Sequence, residues 1–180
     1  MTKPKTQKPQ RLPFSAIEKD VSIYNEFVEF PIQTQGKEYI VKFYPYFSNT
    51  KIRDLIQELA NFAVNIQKEE LDFDVDAEFS DVVGYFIMRH FTDIKFTTSK
   101  KAKVIYEEYK MALNSDLFKV ITECIPEESS TKLYDAIYKT QEMSAKLEGQ
   151  LKKLQQDYLD LPLENRSEIE NAFGKKEVVN

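Results

Sequence analysis

The chain has 180 residues and a formal net charge of −5 at pH 7, and 42% of its residues are hydrophobic. This length fits one domain, or one domain with an additional element, with a buried core under a charged surface. Only four glycines are present, which argues against a turn-rich barrel and against a glycine-built phosphate loop. One cysteine and one histidine exclude a disulfide framework and most histidine-based zinc sites. Composition predicts a soluble, intracellular, helix-rich protein that is not an enzyme and uses no cofactor.

Residues 1–25 are predicted to form a flexible basic arm. The first 13 residues contain four cationic side chains, three prolines and no acidic residue. No apolar stretch follows them, so we expect no secretory signal, and the sequence has no run of about 18 apolar residues that would predict a membrane span. Such an arm can dock on an acidic partner or on nucleic acid, but a solvated tail is the simpler interpretation. The acidic balance of the chain argues against nucleic acid as a partner.

The region from Phe27 to Tyr46 is predicted to form a β-hairpin, the first part of a folded domain over residues 26–160. Gly36 can supply the positive φ that a tight turn requires. Pro31 lacks a backbone N–H, which places the first strand at an edge or a bulge. One face of the second strand carries Tyr39, Val41 and Phe43. An isolated hairpin is marginally stable, so we expect helices to support it.

Helical periodicity dominates the rest of this domain. Apolar residues recur at helical spacing after the N-cap candidates Ser48 and Asn49, and then over residues 79–90 and 101–113. A further short helix is predicted between an N-cap at Ser115 or Asp116 and Pro126. The acidic stretch 72–78 resembles the opening of a calcium loop. However, Ala77 replaces the turn glycine and Val83 replaces the bidentate glutamate, so no metal site is predicted.

A single long helix is predicted from about residue 128 to residue 160, with a length approaching ~45 Å. Leu147, Leu151, Leu154 and Tyr158 repeat in a 4-3-4 spacing that is typical of a coiled-coil seam. Because this helix overshoots a small domain, its distal half requires a partner, a second copy or a segment that folds back. Residues 161–180 are predicted to form a short helix and a charged tail. Folding back within the chain and pairing between chains both remain open.

The predicted fold is mainly α, a helical bundle with an N-terminal hairpin and a long C-terminal helix.

Several short motifs resemble those of small morphogenesis proteins from Gram-positive tailed phages. IVKFYPY at 40–46 followed by KIRDLI at 51–56 is similar to a "V-K-x-Y-L-P" segment that precedes a "K-I-x-L-I" helix. FTDIKF at 91–96 is similar to "Y-T-N-I-x-F", and residues 118–121 together with IPE at 125–127 are similar to "V-I-x-x-I-P-E". The resemblance covers roughly residues 38–150 and points to the tail assembly chaperone group. The basic arm and the charged end of the chain depart from that pattern.

The resemblance implies a non-catalytic factor in the host cytoplasm that binds tail-tube or tape-measure subunits. We expect two recognition elements. Strand addition would use the hairpin residues Tyr39, Val41 and Phe43, and helix-in-groove binding or self-association would use Leu147, Leu151, Leu154 and Tyr158. One alternative is a structural virion subunit, such as a connector, neck or tail component. Another is a small regulator that binds a host protein.

Overall fold

The computed structural model describes residues 11–160. The chain divides into two units, Met1–Ile137 and Tyr138–Asn180. The elements are α1 (Phe14–Val21), a 3₁₀ helix (Ser22–Asn25), β1 (Val28–Thr34), β2 (Lys37–Phe43), α2 (Asn49–Lys68), α3 (Val75–Phe91), α4 (Ala102–Leu113), α5 (Asp116–Glu123) and α6 (Glu127–Asp160). This confirms the mainly helical class with an N-terminal hairpin and a long C-terminal helix. The predicted short helix and charged tail at 161–180 lie outside the described residues, as do the first ten residues of the predicted arm.

The structure corrects the predicted boundary of the N-terminal arm. Residues 14–25 are helical, and α1 begins directly after Pro13, which has the extended backbone of an N-cap residue. At the other end of α1, the Ser22 hydroxyl donates a hydrogen bond to the carbonyl of Lys19 at 2.7 Å. No residue of α1 is buried. The helix therefore places no side chain in the described core.

The hairpin has the predicted position and a turn of two residues. Gln35 and Gly36 both have positive φ, at 52° and 72°, which is the geometry of a type I′ turn. The strands are antiparallel, with Phe43 opposite Val28 and Thr34 opposite Lys37. Since the described sheet has only two strands, each has an outer edge, as the proline in β1 requires.

Helix α3 supports the hairpin through its C-terminal end. The backbone N–H of Tyr44 donates to the carbonyl of Phe91 at 2.8 Å, and the N–H of Asp93 donates to the carbonyl of Lys42 at 3.2 Å. The Asp93 carboxylate accepts a further bond from the N–H of Lys42 at 2.9 Å. Next to these bonds, Phe47 stacks on Phe91 with 3.9 Å between the ring centroids. The expected helical support for the hairpin is confirmed.

Two of the predicted helix caps are confirmed by their hydrogen bonds. The Ser48 hydroxyl accepts from the N–H of Lys51 at 3.3 Å at the start of α2, and Ser115 accepts from the N–H of Phe118 at 3.2 Å at the start of α5. The helices enclose an aromatic-rich core, whose fully buried members include Leu55, Val83, Tyr85, Phe86, Phe91, Tyr109, Ile121 and Leu133.

The first turns of α6 belong to this core. The buried Ser129 hydroxyl donates to the carbonyl of Pro45 at 2.7 Å, and Lys132 donates to the carbonyl of Phe47 at the same distance. Leu133 and Ile137 are buried. The helix has 34 residues, and at 1.5 Å per residue it is about 50 Å long.

Two helical glycines have opposite surroundings and so provide a matched test of the packing. A Cβ on Gly84 of α3 would lie 2.9 Å from the ring of Phe118 on α5, whereas a Cβ on Gly149 of α6 would meet no described atom within 4 Å. We expect Gly84→Ala to lower the free energy of unfolding by about 1–2 kcal/mol through overpacking, as measured by urea denaturation. We expect Gly149→Ala to stabilise its helix by up to about 1 kcal/mol. A stabilising Gly84→Ala would contradict the close approach of α3 and α5.

Candidate protein-binding site

The candidate site is an exposed apolar line on α6. Leu147, Leu151 and Leu154 are exposed to 53%, 60% and 63%, and we call these three residues the leucine seam. The predicted fourth member, Tyr158, lies on α6, but its side chain lies outside the part of the chain that the structure describes. Full burial of a leucine side chain contributes about 1.5–3 kcal/mol, so an exposed row of three is a strong candidate for a covered surface.

The heptad spacing of the leucine seam can be followed back along α6. The same positions hold Ser144 and Thr140, and before them Ile137 and Leu133. Ile137 and Leu133 are buried, whereas the leucine seam is exposed. Polar residues thus separate two apolar portions of one helical line, and only the first portion belongs to the described core.

The hairpin residues divide between core and surface, which corrects part of the predicted site. Phe43 is fully buried and Val41 nearly so, while Tyr39 is 49% exposed. The alternating face packs against the helices near the base of the hairpin, so Val41 and Phe43 are not accessible to a partner. At the tip, Ile40 is also exposed, on the opposite face of β2. The accessible apolar pair is therefore Tyr39 and Ile40.

Helix α1 carries an exposed apolar stripe that was not predicted. Phe14, Ile17 and Val21 are exposed, as is Leu12 just before the helix. Their spacing of three and four residues is the usual signal of an amphipathic helix. The basic, proline-rich residues 1–13 dominate the composition of this region, and that composition favours a flexible arm over a helix.

A polar cluster surrounds the guanidinium group of Arg89. Its Nε donates to Glu58 at 2.8 Å, and its Nη2 donates to the carbonyl of Thr97 at 2.6 Å. A third nitrogen, Nη1, lies 3.3 Å from the carboxylate of Glu108. The Tyr85 hydroxyl donates to the same carboxylate at 2.7 Å, and burial together with Glu108 raises the pKa of Tyr85. Arg89 thus connects α2, α3, α4 and the loop between α3 and α4.

His90 extends this cluster on α3. Its Nε2 lies 2.7 Å from the second carboxylate oxygen of Glu58. Burial lowers the pKa of His90, and the neighbouring Glu58 only partly opposes that shift. The neutral imidazole, with its Nε2 donating to the carboxylate, is therefore the favoured form near neutral pH. His90 thus lies partly buried in the last turn of α3.

A groove of about 420 Å³ borders the Arg89 cluster. Its polar lining residues are Glu58, Asn61, Asn65, Lys68, Arg89, Thr98, Ser99 and Lys100. Asn65 donates to the carbonyl of Lys100 at 3.0 Å, so part of this lining holds the loop against α2. Because Arg89 is already bound to two carboxylates and a carbonyl, these contacts explain the cluster as a structural tie between helices.

The remaining predicted chemistry has structural explanations. In the acidic stretch, the Asp74 side chain accepts from the N–H of Ala77 at 3.1 Å and so caps α3. Among the described residues, no three His, Cys, Asp or Glu side chains lie close enough together to hold a metal ion. Across residues 11–160, no helix is both long and apolar enough to cross a membrane.

The Arg89 cluster predicts a measurable cost when its cation is removed. Arg89→Leu should lower the free energy of unfolding by about 2–3 kcal/mol, because it leaves two partly buried carboxylates without a counter-charge. Urea denaturation of this variant, of Glu58→Gln and of the double variant gives the coupling energy. We expect the double variant to lose less stability than the sum of the single losses. Strict additivity would contradict the direct tie between α2 and α3.

His90 predicts a pH dependence of stability. Since the folded chain lowers the pKa of His90 below its ordinary value of 6.5, the unfolded chain binds this proton more readily. The contribution of the neutral form is present above the ordinary pKa and is lost as the pH falls through the lowered one. We expect wild type to lose more thermal stability than His90→Gln between about pH 7 and pH 5. Equal losses in the two proteins would rule out this contribution.

Comparisons with known proteins place the chain in a family. The family model of YomO matches residues 14–179. The chain is 27% identical over 168 residues to the SPbeta prophage-derived uncharacterized protein YomO of Bacillus subtilis strain 168, a match that covers 92% of this chain and 95% of that protein. The origin of that relative supports the phage assignment made from the motifs. No solved structure matches the chain. Because the family model matches the chain from the start of α1 to residue 179, the chain belongs to the YomO family.

Proposed function

We propose that this chain is a non-catalytic protein-binding factor of phage virion morphogenesis. In this proposal it acts as a tail assembly chaperone in the host cytoplasm and holds tail-tube or tape-measure subunits before they assemble. The prophage origin of its relative and the motif resemblance support the phage context. The exposed leucine seam is the observation that carries the binding role.

The leucine seam has the features of a helix-in-groove recognition element. Its three leucines are exposed and lie on one line of a helix, beside polar neighbours such as Glu148, Gln150 and Lys152. A partner with an apolar groove would bury them together. Their burial supplies roughly 5–9 kcal/mol of gross hydrophobic free energy. Association costs at least about 4 kcal/mol of this gain, and the remainder fits a partner that is held and later released.

The hairpin tip offers a second, smaller recognition element. Tyr39 and Ile40 are exposed on opposite faces of β2, and the outer edge of β1 is unpaired among the described residues. An extended segment of a partner can add to such an edge through its backbone, while Tyr39 and Ile40 offer apolar side chains on the neighbouring strand. This element belongs to the first unit of the chain and acts in the proposal independently of the leucine seam.

A capture experiment with matched variants tests the proposal. The tagged chain is used to isolate partners from a lysate of phage-producing cells, and bound proteins are identified by mass spectrometry. We expect wild type and Lys152→Glu to retain tail-tube or tape-measure subunits, and Leu151→Glu to retain less than about a tenth as much. Both positions are exposed on α6, so circular dichroism should show the same helical content for all three proteins.

The composition of purified particles separates the chaperone from a structural subunit. A chaperone leaves before assembly is complete, so the chain should be missing from particles. Presence in particles at a fixed ratio would overturn the chaperone role and make the chain a virion component. Equal retention by Leu151→Glu and wild type would remove the leucine seam from the binding surface.

A further inference from the structure

We propose that the groove beside the Arg89 cluster is a docking site for an acidic, extended segment of a partner protein. The groove lies between α2 and the loop that leads into α4, and its described lining residues all belong to the first unit of the chain. The inference goes beyond the proposed function, because it names a surface that does not involve the leucine seam. Three properties of the groove carry it: charge, unused hydrogen-bond donors and length.

The lining of the groove has an excess of positive charge, although the chain as a whole has a net charge of −5. The described lining contains three cations, Lys68, Arg89 and Lys100, and the carboxylate of Glu58. Both oxygens of that carboxylate are engaged, one by Arg89 at 2.8 Å and the other by His90 at 2.7 Å. Lys68 and Lys100 are exposed, and neither forms an ion pair with a described residue. Their ammonium groups are therefore available to an anionic ligand.

Uncharged residues of the groove also present donors. Oδ1 of Asn61 accepts a hydrogen bond from Gln57 at 3.4 Å, which leaves the N–H groups of its amide for another acceptor. Oγ of Ser99 accepts from the backbone N–H of Lys101 at 3.2 Å, which leaves its hydroxyl proton for another acceptor. Together with the two lysines, these groups are complementary to the oxygens of a ligand that carries carboxylates.

The length of the groove favours an extended peptide over a small anion. On α2 the lining extends from Glu58 to Lys68, which is about 15 Å at 1.5 Å per residue. An extended segment of about four or five residues spans this length at ~3.3 Å per residue. Between these two positions, Val64 is 49% exposed and offers a contact for an apolar side chain of the segment.

The two unpaired lysines lie towards the same end of the groove. Asn65 lies one turn before Lys68 on α2, and its side chain donates to the carbonyl of Lys100 at 3.0 Å. The loop is thereby held next to the last turns of α2. We therefore place the carboxylates of the segment at this end, and its uncharged polar part near Asn61.

Nucleic acid is the other polyanion that a groove with free cations could bind. Proteins that bind single strands stack the bases on exposed aromatic side chains. Phe62, the aromatic residue of the described lining, is only 2% exposed. The groove thus lacks a stacking surface among its described residues, and an acidic peptide is the better fit.

An NMR titration of the isotope-labelled full chain tests the inference. The probe is the peptide Ser-Glu-Asp-Leu-Asp-Glu-Ser, and the matched control is Ser-Gln-Asn-Leu-Asn-Gln-Ser, which has the same length and no charged side chain. At low ionic strength, we expect the acidic peptide to shift the backbone amide signals of residues 61–68 and 98–103. The control peptide should leave these signals unchanged.

Two double variants with the same change in charge locate the site. Lys68→Gln with Lys100→Gln removes the unpaired cations of the groove, whereas Lys37→Gln with Lys152→Gln removes two exposed lysines elsewhere. We expect the dissociation constant of the acidic peptide to rise about tenfold in the first variant and to change less than about twofold in the second.

Each outcome of the titration decides the inference. Shifts that require both the carboxylates of the peptide and the two lysines of the groove support the docking site. The absence of shifts with the acidic peptide, or equal affinities of the two double variants, overturns it. Tighter binding of a short oligothymidylate to the same residues overturns it in favour of nucleic acid. Since the leucine seam is unchanged in all these proteins, failure here leaves the capture experiment with Leu151→Glu as a separate test of the proposed function.

Discussion

The arrangement of the helices depends on one guanidinium group near the edge of the core. Arg89 binds Glu58 on α2, Glu108 on α4 and the carbonyl of Thr97, and its side chain is only 12% exposed. The aromatic core supplies most of the hydrophobic free energy, but apolar contacts tolerate small shifts. Directional, charge-assisted hydrogen bonds do not tolerate such shifts, so Arg89 fixes the spacing of α2, α3 and α4. The packing of these helices in turn positions the hairpin and the start of α6.

Local signals made much of the fold predictable from the sequence. Ser48 and Ser115 cap their helices through bonds to residues three positions further along, and the hairpin turn depends on a positive φ angle at each of the adjacent residues Gln35 and Gly36. The leucine seam follows in the same way from a spacing of three and four residues. Each of these features is encoded within a few residues, which is the range that periodicity and capping rules describe.

Features that depend on distant residues were not predictable. Glu69 accepts hydrogen bonds from the N–H groups of Ala102 and Lys103 and so caps α4 from the end of α2, more than thirty residues away. Alternation placed Val41 and Phe43 on one face of a strand, but it does not reveal which face the helices cover. For the leucine seam, periodicity identifies the apolar line, but it does not reveal which surface covers that line.

The close approach of α3 and α5 also constrains how members of the family can diverge. The ring of Phe118 occupies the space that a side chain at position 84 would need. A relative with a larger residue at the position of Gly84 requires a smaller one at the position of Phe118, or a wider separation of the two helices. These two positions should therefore covary across YomO sequences, although 34 residues separate them along the chain.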